Sequence, residues 1–232
     1  MKEQYDGGKK MSKLTKKELA SKIDHTVLKA VATPKMVATL CEEAIAIGAA
    51  SVCVNPVNVK QVAGLLKGTG IKTCSVVGFP LGANTPEVKA FETKDAIKNG
   101  AEEIDMVINV GALKAGDTET VYEDIKAVVD AADGVLVKVI IETCYLTDEE
   151  KIEACQASTR AGAEYVKTST GMGTAGTNPH DIALMKANIS EGMKVKASGF
   201  MRKLEDVIPN LEAGADRLGL SGSIPILSEL DE

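Results

Sequence analysis

Four times along the chain a glycine–alanine pair is followed by two residues and an apolar run: Gly48-Ala49-Ala50-Ser51-Val52, Gly100-Ala101-Glu102-Glu103-Ile104, Gly162-Ala163-Glu164-Tyr165-Val166 and Gly214-Ala215-Asp216-Arg217-Leu218. A glycine that closes a helix and leads through a tight loop into a strand writes this phrase. Helix starts are marked as well. Thr33-Pro34, Thr85-Pro86 and Asn178-Pro179 each place an N-cap residue before a proline at the first helical position, and Thr147-Asp148-Glu149-Glu150 is a capping box. The spacing predicts helices over Pro34–Ile47, Pro86–Lys98, Thr118–Ala132 and Asp148–Ala161. Strands are predicted near Ile23–His25, Ser51–Val54, Lys72–Val77, Glu103–Asn109, Leu136–Ile141, Tyr165–Thr168, Lys194–Ala197 and Asp216–Leu220, the first carrying the weakest signal. Eight strands, each followed by a helix, imply a parallel sheet covered on both faces. At 232 residues, that count favours an α/β fold closed into a single-domain (β/α)8 TIM barrel over residues 14–232. Residues 1–13 are polar, lack the apolar core of a signal peptide, and read as a loose N-terminal extension.

Three of these strands carry a lysine among apolar neighbours: Lys138 in Leu-Val-Lys-Val-Ile-Ile, Lys167 in Tyr-Val-Lys-Thr-Ser-Thr and Lys196 in Val-Lys-Ala-Ser-Gly. A buried ammonium is costly unless it is paired or loses its proton, and lysines crowded on neighbouring strands repel. A neutral amine attacks carbonyls, so the pattern suggests Schiff-base chemistry. Asp24, Asp105 and Glu142 also lie in or at the end of strands and supply carboxylates for balance and for proton transfer. One such lysine alone fits an edge residue that snorkels to water. Several on successive strands do not.

Two loops suggest an anion site. Ser198-Gly199-Phe200-Met201-Arg202 follows the seventh strand, and Gly219-Leu220-Ser221-Gly222-Ser223 follows the eighth and runs into a last short helix. Loops at these two places, with a helix N-terminus, commonly hold phosphate in this fold. Gly171-Met172-Gly173-Thr174-Ala175-Gly176 matches G-x-G-x-x-G and has Glu191 ~20 residues on, as a dinucleotide fingerprint asks. It follows the sixth strand rather than the first, so it reads as a flexible loop with Gly171 near the substrate. His25 reads as a loop or supporting residue and His180 as a helix N-terminal residue, while Cys53 reads as a small core residue near the site. The five cysteines and two histidines show no zinc or disulfide spacing, so no metal is expected and reduced thiols in a cytoplasm are. A net charge of −6 argues against nucleic acid or an anionic membrane as the main partner, and no apolar run approaches a membrane span.

Six motifs then occur in order. They are Ile-Asp24-His-Thr-Val-Leu-Lys, Ser-Val-Cys53-Val-Asn-Pro, Glu-Ile-Asp105-Met-Val-Ile-Asn, Val-Lys138-Val-Ile-Ile-Glu-Thr, Tyr-Val-Lys167-Thr-Ser-Thr-Gly and Val-Lys196-Ala-Ser-Gly. From about Leu14 to near its C-terminus the chain closely resembles the deoxyribose-phosphate aldolases, which are class I aldolases. The resemblance implies reversible cleavage of 2-deoxy-D-ribose 5-phosphate to glyceraldehyde 3-phosphate and acetaldehyde without a cofactor. It implies Lys167 as the Schiff-base lysine, Lys196 as the neighbour that lowers its pKa, and Asp105 as the acid/base carboxylate. Asp24, Lys138 and Thr168 would support them. Gly171, Gly199, Arg202, Ser221 and Gly222 would line the phosphate pocket. A homodimer is a family-level expectation. The alternative is a sugar-phosphate isomerase or lyase of the same fold that uses no covalent lysine.

The chain departs from the family at one loop in particular. Where relatives usually read Ser-Gly-Gly-Ile-Arg, it has Ser198-Gly199-Phe200-Met201-Arg202, and Gly-Leu-Ser-Gly-Ser replaces the more usual Gly-Thr-Ser-Ser-Gly. Phenylalanine at a glycine position is expected to weaken phosphate binding, leave the aldol machinery intact, and favour unphosphorylated aldehydes.

Overall fold

The computed structural model describes residues 14–230. Its strands are β1 (Ile23–Val27), β2 (Ser51–Val54), β3 (Lys72–Val77), β4 (Glu103–Val107), β5 (Leu136–Ile140), β6 (Tyr165–Lys167), β7 (Lys194–Ser198) and β8 (Arg217–Leu220). All pair in parallel with their sequence neighbours, and β8 pairs with β1 to close the barrel. The helices are α1 (Lys16–Ala20), α2 (Pro34–Ile47), α3 (Val59–Leu65), α4 (Pro86–Lys98), α5 (Val110–Lys114), α6 (Thr118–Ala132), α7 (Asp148–Ala161), α8 (Pro179–Ala187), α9 (Leu204–Glu212) and α10 (Ser223–Ser228). The chain therefore forms a (β/α)8 barrel. The extension expected over residues 1–13 lies outside the described residues.

The local signals act as their chemistry requires. Gly48, Gly100, Gly162 and Gly214 all have positive φ, so each helix turns sharply into the following strand. Thr33, Thr85 and Asn178 accept hydrogen bonds from the backbone amides of Met36, Val88 and Asp181, and the Thr147–Glu150 box closes reciprocally. The β4 strand stops at Val107, two residues before the expected Asn109, because the Asn109 side chain accepts from the Ala112 amide and starts α5. The first strand runs further than expected, to Val27, where it pairs with Val54 of β2.

Alternation along the strands separates two layers. On β4, Ile104 and Met106 join the main apolar core beneath the helices, whereas Glu103 and Asp105 take part in polar contacts inside the barrel. On β5 the pattern repeats with Val137 and Val139 outward and Lys138 inward, and on β7 with Val195 and Ala197 outward and Lys196 inward. Helix α6 supplies Val121, Ile125, Val128 and Ala132, a stripe at helical spacing, to the same outer core. The barrel is thus sealed by apolar packing on its outside, and its charged residues face inward.

Candidate active site

The register of the sheet aligns the charged residues of neighbouring strands. Asp105 pairs with Lys138, Lys167 with Lys196, and Lys196 with Arg217. Because side chains alternate across a strand, residues matched in register tend to share a face, so these groups meet inside the barrel. Asp105 is the hub. Its Oδ2 accepts from Lys167 Nζ at 2.7 Å and from Lys196 Nζ at 2.6 Å, and its Oδ1 accepts from Lys138 Nζ at 2.9 Å and the Cys74 thiol at 3.2 Å. Asp24 reaches Lys196 with a short contact through Oδ2 and accepts from Ser51 through Oδ1 at 2.7 Å. Gly219 makes room for this arrangement: a Cβ there would lie 2.8 Å from the Ser198 Cβ and 3.2 Å from the Lys196 Cε.

Protonation states follow from the partners. Burial alone would push Asp105 upward, but Lys138, Lys167 and Lys196 around it hold its carboxyl well below the usual carboxylate range. Asp24 is lowered in the same way, against its burial, by Lys138, Lys196 and Arg217. Burial pulls Lys138 and Lys196 down, yet Asp105 and Asp24 more than offset it, and both lysines are raised above the ordinary range. The expectation that crowding lowers lysine pKa values therefore fails for these two, because each is given carboxylates as well as cationic neighbours. Both remain ammonium groups.

Lys167 differs from them in its surroundings. It stands at the C-terminal end of β6 and lines a cavity of about 800 Å³ at the strand C-termini, together with Thr170, Gly171, Ser198, Gly199, Arg202 and Ser221. Lys138 and Lys196 are fully enclosed beneath it. The cavity also takes in Lys29, Lys35, Met36 and Glu43 from the first strand–helix loop and α2.

The family model described as DeoC/LacD family aldolase matches residues 19–222. The chain belongs to the DeoC/LacD family of aldolases. It is 58% identical over 210 residues to the deoxyribose-phosphate aldolase of Geobacillus sp., covering 90% of this chain and 94% of that one. It is 56% identical over 214 residues to the enzyme of the same name from Clostridium perfringens, covering 92% and 96%. Among solved structures, the tetrameric deoxyribose phosphate aldolase from Aeropyrum pernix matches with a TM-score of 0.87 at 36% identity, covering 93% of this chain and 92% of that one.

Other expected residues of the aldolase fall into place or out of it. Thr168 is buried and ties β6 to β7: its hydroxyl donates to the Ser198 carbonyl and accepts from the Ser198 amide, each at 3.1 Å. Gly222 is not among the residues that line the cavity; it is the N-cap residue of α10. His180 is a helix N-terminal residue as expected, bonded to Asp148 at 2.7 Å. His25 lies within β1 rather than a loop and links Ser223 to Glu43, at 2.8 Å on each side. Cys53 packs with Cys74 and Val76 in a small separate apolar cluster inside the barrel.

The glycine-rich segment after β6 is hydrogen-bonded at its two ends. The Thr170 amide donates to both oxygens of Glu142, at 3.3 and 3.2 Å, and the Thr177 amide donates to the Ser198 carbonyl. A Cβ at Gly173 would meet the Cys144 sulfur at 2.7 Å, and one at Gly176 would meet the Gly199 carbonyl oxygen at 2.2 Å. These glycines let two loops pack together at the cavity edge. Glu142 holds φ +54, an uncommon conformation for a side-chain-bearing residue, and burial pushes its carboxyl upward despite the Thr170 bond. Phe200 also has positive φ, +59, and the residue is 51% exposed where it lines the cavity.

Two residues of the charged network were not singled out from the sequence. Glu103 accepts from Lys138 Nζ at 2.6 Å, and Arg217 donates to Asp24 at 2.6 Å and to Glu103 at 2.5 and 2.7 Å. The available signal was period two: Glu103 stands two residues before Asp105, and Arg217 two before Gly219, on the same faces.

Proposed function

We propose that this aldolase reversibly cleaves 2-deoxy-D-ribose 5-phosphate to glyceraldehyde 3-phosphate and acetaldehyde through a Schiff base on Lys167. The observation that carries the reading is positional: of the three interior lysines, Lys167 alone lines the cavity, and its Nζ lies 2.7 Å from a carboxylate oxygen of Asp105. The names of its relatives supply the substrate. The neutral Lys167 amine adds to the aldehyde carbon of the open-chain sugar, giving a carbinolamine that loses water as an iminium ion. The hydroxyl on the third sugar carbon gives up its proton, the bond between the second and third carbons breaks, and glyceraldehyde 3-phosphate leaves. The bonding pair moves into the iminium and leaves an enamine of acetaldehyde. Protonation of its carbon and hydrolysis release acetaldehyde and restore the amine. Asp105, within reach of both Lys167 and Lys196, serves as the group through which protons move, and Lys196 supplies a fixed positive charge beside the iminium.

Gly171, Gly199, Arg202 and Ser221 line the cavity where the phosphate of the substrate would lie. Phe200 adds a ring to that rim, which supports weaker phosphate binding and greater use of unphosphorylated aldehydes. Five cysteines without a disulfide support a reducing compartment such as the cytoplasm. The tetrameric relative supports assembly of more than one copy, and a homodimer is the simplest closed form.

The test is borohydride trapping with acetaldehyde and with deoxyribose 5-phosphate, followed by peptide mass mapping. A reduced adduct on Lys167 is expected with both, and the Lys167→Ala variant is expected to give none and to lose turnover. Turnover retained in Lys167→Ala would instead support an isomerase or lyase that uses no covalent lysine.

A further inference from the structure

Between the barrel and its helices, the outer face of β1 belongs to an apolar layer. Ile23 packs into the main core, and His25 follows it two residues on. An imidazole is costly to bury there without partners, and His25 is only 2% exposed. Both ring nitrogens are partnered. Nε2 lies 2.8 Å from Glu43 Oε2 on α2, and Nδ1 lies 2.8 Å from Ser223 Oγ at the first residue of α10. A carboxylate only accepts, so Nε2 carries a proton and donates to Glu43. Ser223 is itself fully buried, although Ile226 and Leu227 already seat α10 by apolar packing. The chain Glu43–His25–Ser223 thus crosses the apolar layer from α2 to α10.

Both ends of this chain adjoin the cavity. Glu43 lines it beside Lys35, Met36 and Thr39, and Ser221 lines it from the loop after β8, whereas His25 and Ser223 lie outside the lining. Only Gly222 separates Ser221 from Ser223, and nothing lies within 4 Å of the place its Cβ would take. Glycine has the widest choice of backbone conformations, so the placing of Ser221 depends on how firmly the residues around it are held. On one side Gly219 pairs with Asp24 and Ser198 in the sheet. On the other side Ser223 is held by His25. We propose that His25 and Ser223 are specificity-determining positioning residues, anchoring the start of α10 to Glu43 so that Ser221 meets the phosphate end of the substrate. The proposal rests on the deoxyribose 5-phosphate reading above, and it adds residues that touch neither the reacting carbons nor the phosphate. Losing the anchor frees Ser221 but leaves Lys167 and Asp105 in place, so KM for a phosphorylated sugar rises while kcat holds. A residue that only supported the fold would lower stability and treat phosphorylated and unphosphorylated sugars alike.

The experiment compares the full-length protein with Ser223→Ala, His25→Gln and the double variant. For each, kcat and KM are measured for deoxyribose 5-phosphate and for 2-deoxyribose, beside a thermal melt. Ser223→Ala is expected to raise KM for the phosphorylated sugar roughly fivefold to tenfold, with kcat and the KM for 2-deoxyribose changed by no more than about twofold. His25→Gln keeps a donor for Glu43 but cuts the link to Ser223, so it should match Ser223→Ala, and the double variant should be no worse than either. Equal rises of KM for both sugars, a fall in kcat with KM unchanged, or additive losses in the double variant would overturn the proposal. If the variants do not fold, the unmodified protein decides. Its His25 ring-nitrogen resonances should move when inorganic phosphate is titrated in at constant pH, with His180, outside the cavity lining, as the control. Resonances of His25 that stay in place overturn the anchor. An unmodified protein that does not turn over deoxyribose 5-phosphate removes the substrate reading. Normal turnover with an unchanged KM ratio in Ser223→Ala overturns the anchor alone.

Discussion

Lys89 and Lys138 are both enclosed by protein and both bond an aspartate, yet the balance between burial and partner charge moves the two pairs in opposite directions. Lys89, on α4, donates to Asp124 of α6 at 2.6 Å and to the Val107 carbonyl at 2.8 Å. There burial dominates: it lowers Lys89 and raises Asp124, pushing both towards neutrality. In the barrel interior the same desolvation is outweighed, and Lys138 and Asp105 are both driven towards their charged forms. The difference is the number of partners. Lys89 has one carboxylate, and Oδ1 of Asp124 has no hydrogen-bond partner. Lys138 contacts Glu103, Asp105 and Asp24, and both oxygens of Asp105 are engaged. A lone buried pair recovers little of its desolvation, whereas a cluster of alternating charge stabilises every member. The lone pair serves packing between two helices. The cluster keeps its members charged beneath the cavity.

Removing the hub should separate the two regions most clearly. Asp105→Asn is expected to lower kcat by roughly 10²- to 10⁴-fold, the usual span for loss of a proton-transfer group. Steady-state assays beside a thermal melt would check this, and near-normal kcat in a folded variant would remove Asp105 from the mechanism. Lys89→Met should have the opposite profile, with kcat unchanged and stability lower by about 3–5 kcal/mol because Asp124 loses its partner. Pairing it with Asp124→Leu should recover most of that loss, as measured by denaturant unfolding. If the double variant stays as unstable as Lys89→Met, the description of this pair as replaceable packing is wrong.

Acid titration sharpens the contrast further. The folded-state values of Asp24 and Asp105 are depressed, so their stabilising contribution is present above the ordinary value of 3.8 and declines as pH falls below it. Asp124 is raised, so its contribution has the reverse sign: it is greatest below that value and is lost as pH rises. Unfolding free energy measured between about pH 3 and 7 should therefore fall less steeply on the acid side in Asp105→Asn than in the unmodified protein. An unchanged slope would count against the interior cluster as the source.

The smallest expected effect lies at the cavity mouth. Phe200→Gly should relieve a left-handed conformation and raise stability by about 1 kcal/mol. It should also lower KM for deoxyribose 5-phosphate relative to an unphosphorylated aldehyde. A KM ratio that does not change would show that the ring stands clear of the phosphate.

The helix ends, the alternation of the sheet and most strand limits were legible because each depends on neighbours within a few residues. Thr33-Pro34 or the Thr147–Glu150 box carries its whole mechanism in four residues. The three interior lysines and Asp105 were legible for a related reason: a charge in an apolar run is anomalous wherever it occurs, and period two assigns it a face. Harder to read were residues whose meaning depends on distant partners. Arg217 begins a strand in a sequence that looks like an ordinary polar start, and only closure of β8 against β1 brings it to Asp24, 193 residues away. Glu142 looked like a member of the interior cluster, but the chain turns at φ +54 and delivers it to the Thr170 amide instead.

Sequence alone determined that this chain would alternate strand and helix, close at eight strands, and carry amines and carboxylates on the inner face. Those outcomes follow from local capping, periodicity and the cost of burying charge, all written in short segments. Tertiary structure alone decided which lysine meets the cavity and which two stay beneath it as ammonium ions. That choice depends on how far along each strand the lysine stands and on which carboxylates the closed barrel sets against it, and neither distance exists until the ring of strands is complete.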